Sequence, residues 1–179
     1  GLVGSEMCIR DRCITSPLKR ARQTAEIILE GKDVPVTEDA RISELCFGSW
    51  EGLGCRRENY EVPVPIEQFR KFYTDPLHFV PAKDGETIAA LCKRTEQFWK
   101  ELLGNEAYRD KTILIATHGC AVRAILRNVY EDQTDYWHGR VPANCAVNIV
   151  EVTDGKAILK EADKIYYDPA VAVDHFTRV

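Results

Sequence analysis

The sequence predicts an α/β sandwich built on a largely parallel sheet. Two observations carry this reading. Helical and extended patterns alternate along the chain, and residues 111–117 (KTILIAT) form a short apolar run of the kind found in strands buried on both faces. The length of 179 residues, 45% of them hydrophobic, is enough for one domain with a sizeable core.

Residues 13–15 (CIT) read as the tail of a strand. Ser16-Pro17 then opens a helix, since serine caps free N–H groups and proline suits the first helical position. Leu18, Ala21, Ala25, Ile28 and Leu29 give that helix an apolar stripe, and Gly31 ends it. Residues 34–37 are a short extended piece, and 42–54 are irregular and rich in glycine and aromatics. Residues 63–81 mix proline with Phe69, Phe72, Tyr73 and Phe79, which reads as a helical insertion or lid rather than core. Residues 86–103 form the clearest helix. Ile88, Leu91, Cys92, Thr95, Phe98, Trp99 and Leu102 fall on one face at three- and four-residue steps, and Gly104 stops it. The strand at 111–117 is followed by a second apolar helix at 121–130. Residues 146–152 and 157–161 flank Asp154-Gly155, a strong hairpin signal.

Composition narrows the function classes. Lys plus Arg is 24 against 28 Asp plus Glu, a net charge of −4, which excludes a general binder of nucleic acid or anionic membrane. The cysteines number seven, an odd count without a C-x-x-C pair, so zinc-ribbon and disulfide-framework readings are weak. Reduced thiols, some packed as small hydrophobes, are expected in a cytoplasmic protein. No apolar run approaches the length of a membrane-spanning helix. Residues 1–12 (GLVGSEMCIRDR) have no helix or strand period and no starting Met. They read as a non-native, adaptor-derived leader that packs poorly, with a genuine short leader as the alternative. The domain is then expected over 13–179, with 53–81 as its lid.

Three places carry candidate chemistry. In residues 16–25 (SPLKRARQTA), Lys19, Arg20 and Arg22 crowd the start of a helix, where the dipole favours anions. A bound phosphate would satisfy the dipole, the free N–H groups and the arginines together. Arg20 is the expected inward cation, with Lys19 and Arg22 on a solvated face. His118, in Thr117-His118-Gly119-Cys120, ends the buried strand just before a helix, over the edge where α/β folds gather their chemistry. Glu44 lies in an irregular aromatic-rich loop where a carboxylate can serve as general acid, with Glu51 as the competing carboxylate.

Together and in this order, SPLKRARQTAEII, SELCFGSWEG, DGETIAAL and ATHGCAVRAIL resemble the successive motifs of the histidine phosphatase (phosphoglycerate mutase-like) superfamily, small bacterial phosphatase type. The resemblance covers nearly everything from Cys13 to about Val152. It implies a three-layer α/β/α sandwich without metal or organic cofactor, acting on a small phosphorylated metabolite. It also implies roles: Arg20 as phosphate-binding arginine, Glu44 as proton donor and His118 as second active-site histidine, a cation or hydrogen-bond donor toward the phosphoryl oxygens. Gly85-Glu86-Thr87 is similar to a family motif that begins the long helix, with a structural role.

One departure bears on activity. Members open with a strand ending in Arg-His-Gly whose histidine takes the phosphoryl group, and this sequence contains no Arg-His-Gly. His78, His138 and His175 lie in the wrong contexts to replace it. The chain is therefore expected to lack that first strand and the helix after it. The implied function is phosphomonoester hydrolysis through a phosphohistidine in the intact protein. Phosphoglycerate mutase-type transfer and a non-catalytic phosphate-binding relative are the alternatives. A cysteine-dependent phosphatase is disfavoured because no cysteine has an arginine six residues on, and a metallohydrolase because H-E-x-x-H is absent. Arg56, Arg57, Tyr60 and Tyr73 of the lid, and Trp137-His138, are candidate substrate contacts, with lid packing and a surface loop as the competing readings.

Overall fold

The computed structural model describes residues 11–172. Three parallel strands form the central sheet in the order β2-β1-β3: β1 (Arg12–Thr15), β2 (Val36–Glu38) and β3 (Ile113–Ala116). Strand β1 pairs on both sides, Thr15 opposite Glu38 on β2 and opposite Ala116 on β3. Side chains alternate across this sheet. Cys13, Leu114 and Ala116 meet Ala25 and Leu29 of helix α1 (Lys19–Ile28) and its end. Ile14, Ile113 and Ile115 face the other way, onto Phe98 and Trp99 of α4 (Ile88–Gly104) and Ile125 of α5 (Gly119–Leu126). Helices on both faces of a parallel sheet make the three-layer sandwich that the sequence predicts.

The sequence places several boundaries differently. Helix α1 begins at Lys19 with Leu18 as an uncapped start, so Ser16 and Pro17 precede it. The hairpin of β4 (Val147–Thr153) and β5 (Lys156–Lys164) forms a separate antiparallel sheet. Strand β3 is only half-buried over Ile113–Ile115, not buried on both faces. Among the described residues it pairs on one side alone. Its outer edge faces an open cavity of about 2770 Å³ whose lining includes Ile113 and Ile115 of β3 and Val147 and Ile149 of β4. Residues 1–10 of the expected leader lie outside the described residues. Asp11 and Arg12 belong to the fold: Thr112 N–H donates to Asp11 Oδ2 at 2.8 Å, and Arg12 pairs with Ile113, because β3 extends far enough to engage them.

The segment expected to be lid rather than core contributes to the largest core cluster. Helices α2 (Ile66–Phe69) and α3 (Lys71–Thr74) bury Phe69 and Phe72, which join Trp50, Phe79, Leu91 and Trp137. The rings meet largely edge to face, as at Phe69–Phe79 (6.0 Å, 90°) and Phe72–Trp137 (5.2 Å, 74°), the arrangement ring quadrupoles favour. A lid this short cannot bury its own aromatics, so it shares the apolar face of α4 and α5. Trp137 is therefore core, its indole N–H donating to the Phe72 carbonyl at 3.0 Å, and His138 stacks on Tyr130.

Arg123 ties the hairpin to α5. It is 1% exposed, and its guanidinium donates to the Arg140 carbonyl at 2.8 Å, to Tyr130 Oη at 3.1 Å and to Asp163 Oδ2 at 2.5 Å. Removing a buried cation leaves its partner carboxylate uncompensated. Arg123→Ala is expected to lower stability by about 3 kcal/mol, read as a fall in the urea midpoint at unchanged slope. A midpoint equal to that of the parent would show that the pair does not hold the hairpin.

Candidate active site

The parallel pairing of β1 and β3 brings their C-terminal ends to one edge of the sheet, where the Ser16 N–H donates to the Ala116 carbonyl at 2.9 Å. From β1 the chain enters α1, which presents Arg20 in its first turn. From β3 it enters α5, with His118 at the N-cap position. The two meet side on: Arg20 Nε donates to His118 Nδ1 at 3.1 Å. With Nδ1 accepting, the neutral ring carries its proton on Nε2, which lies 2.8 Å from Ser16 Oγ. Ser16 Oγ also accepts from the Leu18 N–H at 3.3 Å. Ser16, read in the sequence only as a helix cap, is thus a site residue and fully buried. An S-P pair before a helix gave no sign of this, because its partner lies 102 residues away.

His118 is 8% exposed. Burial, and then the nearby cations Arg20 and Arg94, push its pKa down to about 4. At neutral pH it is an imidazole and not the cation that the resemblance implied. It can still donate, through Nε2. Arg20 itself is exposed at the mouth of the site. Lys19 is exposed, and Arg22 pairs with Glu38 across the surface at 3.1 Å.

Glu44 arrives from the loop between β2 and the lid. Its Oε1 accepts from Cys120 N–H at 3.1 Å and Ala121 N–H at 3.3 Å, in the first turn of α5, and from its neighbour Leu45 N–H at 3.0 Å. These first-turn amides have no acceptor within the helix, and a carboxylate there also complements the helix dipole. A Cβ at Gly119 would press on Val141 Cγ1 at 3.3 Å, whereas it would meet Glu44 Oε2 at an ordinary 3.9 Å. Glu51, the competing carboxylate, instead braces its own loop by accepting from Phe47 N–H at 2.9 Å. Of the proposed lid contacts, Arg56 and Arg57 are exposed, Tyr60 donates to the Val64 carbonyl at 2.9 Å, and Tyr73 lines the cavity, its phenol pushed up by burial.

An arginine, a neutral histidine and a carboxylate thus gather at two helix N-termini over the sheet edge. The sequence model of the histidine phosphatase superfamily (branch 1) matches residues 7–164. The chain belongs to the histidine phosphatase superfamily. An adenosylcobalamin/alpha-ribazole phosphatase of Salmonella typhimurium is 34% identical over 152 residues, 84% of this chain and 71% of that protein. The phosphatase PhoE of Bacillus subtilis is 32% identical over 139 residues, 78% of this chain and 63% of its own length. The solved structure of Bacillus stearothermophilus YhfR superposes with a TM-score of 0.78 at 24% identity, over 89% of this chain and 77% of that one, a likeness of fold.

In this histidine phosphatase superfamily member the low pKa of His118 has a sign that can be tested. Its folded value, about 4, lies below the ordinary 6.5, so between those values the unfolded chain binds more protons than the folded one. The stabilisation is complete above pH 6.5 and is lost as pH falls toward 4, about 3 kcal/mol in all. NMR titration of the His118 ring should give a midpoint near 4, and phosphate added beside Arg20 should raise it. A midpoint near 6.5 in the free protein would contradict the burial of His118 between Arg20 and Ser16.

Proposed function

We propose that this site hydrolyses phosphomonoesters of small metabolites through a phosphohistidine intermediate, with Arg20 binding the phosphoryl group, His118 donating to it and Glu44 serving as proton donor. The observation that carries the proposal is the convergence of Arg20 on His118 beside the α5 N-terminus that Glu44 occupies. Phosphoryl transfer requires chiefly alignment and charge stabilisation, which preorganised donors of this kind supply. In the first step an imidazole nitrogen forms a bond to phosphorus as the ester P–O bond breaks, and Glu44 passes its proton to the departing alcohol. In the second, water attacks phosphorus, the N–P bond breaks, and the Glu44 carboxylate takes the water's proton. The relatives named as phosphatases support hydrolysis over transfer between positions of one metabolite.

Among the described residues, His78 pairs with Asp75 at 2.8 Å and His138 stacks on Tyr130, so neither supports a role as nucleophile. Phosphate binding without turnover is the second reading, favoured by the same lack of a second histidine among the described site residues.

Phosphate release from p-nitrophenyl phosphate, together with an acid-labile phosphoprotein trapped on quenching, is the outcome expected of the hydrolase reading. Titration with inorganic phosphate that reports binding without either signal would favour the second reading. Where turnover is seen, Arg20→Ala should lower kcat/KM by about 10²–10³-fold, roughly 3–4 kcal/mol of transition-state stabilisation. Kinetics matching the parent would remove Arg20 from the site.

A further inference from the structure

Glu44 sits in a loop without regular structure, yet its carboxylate is aimed at two particular amides. Something outside the loop has to hold it. The carbonyls of four successive residues, 41–44, are all captured by side chains. Thr117 Oγ1 donates to Ile42 O at 2.6 Å. Arg94 takes the other three: Nη1 donates to Arg41 O at 2.6 Å and Ser43 O at 2.9 Å, and Nη2 to Glu44 O at 3.1 Å. The remaining N–H groups of Arg94 grip Glu86 as a fork, Nε to Oε1 at 2.7 Å and Nη2 to Oε2 at 2.8 Å. All five guanidinium donors are therefore used, three on the loop and two on a carboxylate. Glu86 is itself anchored to the loop, its N–H donating to the Cys46 carbonyl at 2.7 Å.

We propose that Arg94, braced by Glu86, is the positioning residue for Glu44 in the proton-transfer step, a role that rests on Glu44 being the proton donor. Arg94 lies on α4, the longest helix, whose apolar face is locked in the core, so its side chain projects from a rigid element. Its guanidinium fixes the main chain at residues 41, 43 and 44, and Thr117, next to His118, fixes residue 42. The Glu44 carboxyl is thereby carried to the first turn of α5 at a set distance from His118. A lysine has three donors and no planar fork, so it cannot meet three carbonyls and both carboxylate oxygens at once. The Glu86 of the motif that begins α4 then has a reason beyond starting a helix: it neutralises and orients the guanidinium.

The test uses the full chain and two variants, Arg94→Lys and Glu86→Gln, with two readouts. The first does not depend on turnover. Cys120 and Ala121 N–H sit in the first turn of α5 and have no acceptor within the helix, so their protection from hydrogen exchange reports the Glu44 carboxylate directly. In Arg94→Lys their exchange should speed by about tenfold while the β1 and β3 amides keep parent rates, with a smaller change of the same kind in Glu86→Gln. The second is leaving-group dependence. An alkyl phosphate, which needs a proton on its departing oxygen, should lose about tenfold in kcat with KM little changed, whereas p-nitrophenyl phosphate, which leaves as a stable anion, should lose far less. Parent-like exchange at Cys120 and Ala121 in both folded variants would overturn the proposal, as would equal losses on the two substrates. If Arg94→Lys does not fold, Glu86→Gln decides on the same criteria. A parent chain that turns over neither substrate favours the phosphate-binding reading, and the exchange measurement then decides the role of Arg94 by itself.

Discussion

The hydrogen-bonded pairing of β1 with β3 is the constraint on which the site depends. In parallel register, Thr15 stands opposite Ala116, and the next residue on each side is where the chains leave the sheet for their helices. Ser16 and Thr117-His118 therefore emerge side by side although about a hundred residues separate them. Arg20 follows from the same geometry, because the first turn of α1 rises beside the start of α5 and puts the guanidinium against Nδ1. A shift of one residue in this register would turn every side chain of the strand to the other face. Cys13 would then leave the α1 layer and Ile14 the α4–α5 layer, so the core resists the shift that would dissolve the site.

Charge at the site is arranged around that frame. His118 is buried with arginines nearby, and the resulting drop in its pKa keeps it neutral, with its proton on the nitrogen facing Ser16. The α5 N-terminus, a place that attracts anions, is occupied by the Glu44 carboxylate. The arrangement thus holds a carboxyl and a neutral imidazole at one helix start, with Arg20 open to solvent beside them. The aromatic cluster beneath the lid serves a different purpose: it fastens residues 53–81 to α4 and α5.

Much of this was legible in local patterns. The three-residue and four-residue spacing from Ile88 to Leu102 identified α4, and Asp154-Gly155 identified the hairpin, because both signals depend only on near neighbours in the chain. The run at 111–117 was read correctly as a strand and wrongly as fully enclosed: apolar content speaks to what a strand could bury, not to whether both of its edges have partners. The lid aromatics were similarly ambiguous, since a Pro-rich segment with four rings looks alike whether it packs on itself or on a helix elsewhere. Ser16 and Arg94 escaped notice for a shared reason. Ser16 has an ordinary local explanation as a cap and Arg94 has no local signal, and only distant partners reveal their other contacts.

The sequence by itself determined the order of elements and the family motifs, and it singled out Arg20, Glu44 and His118 as candidates, because these are written in residue types at fixed local spacing. The tertiary structure alone decided that His118 is neutral, that Glu44 rather than Glu51 reaches the α5 N-terminus, and that Arg94 holds the loop in between. Those outcomes depend on burial and on hydrogen bonds between segments 50 to 100 residues apart, formed only once the sheet has brought the strand ends together.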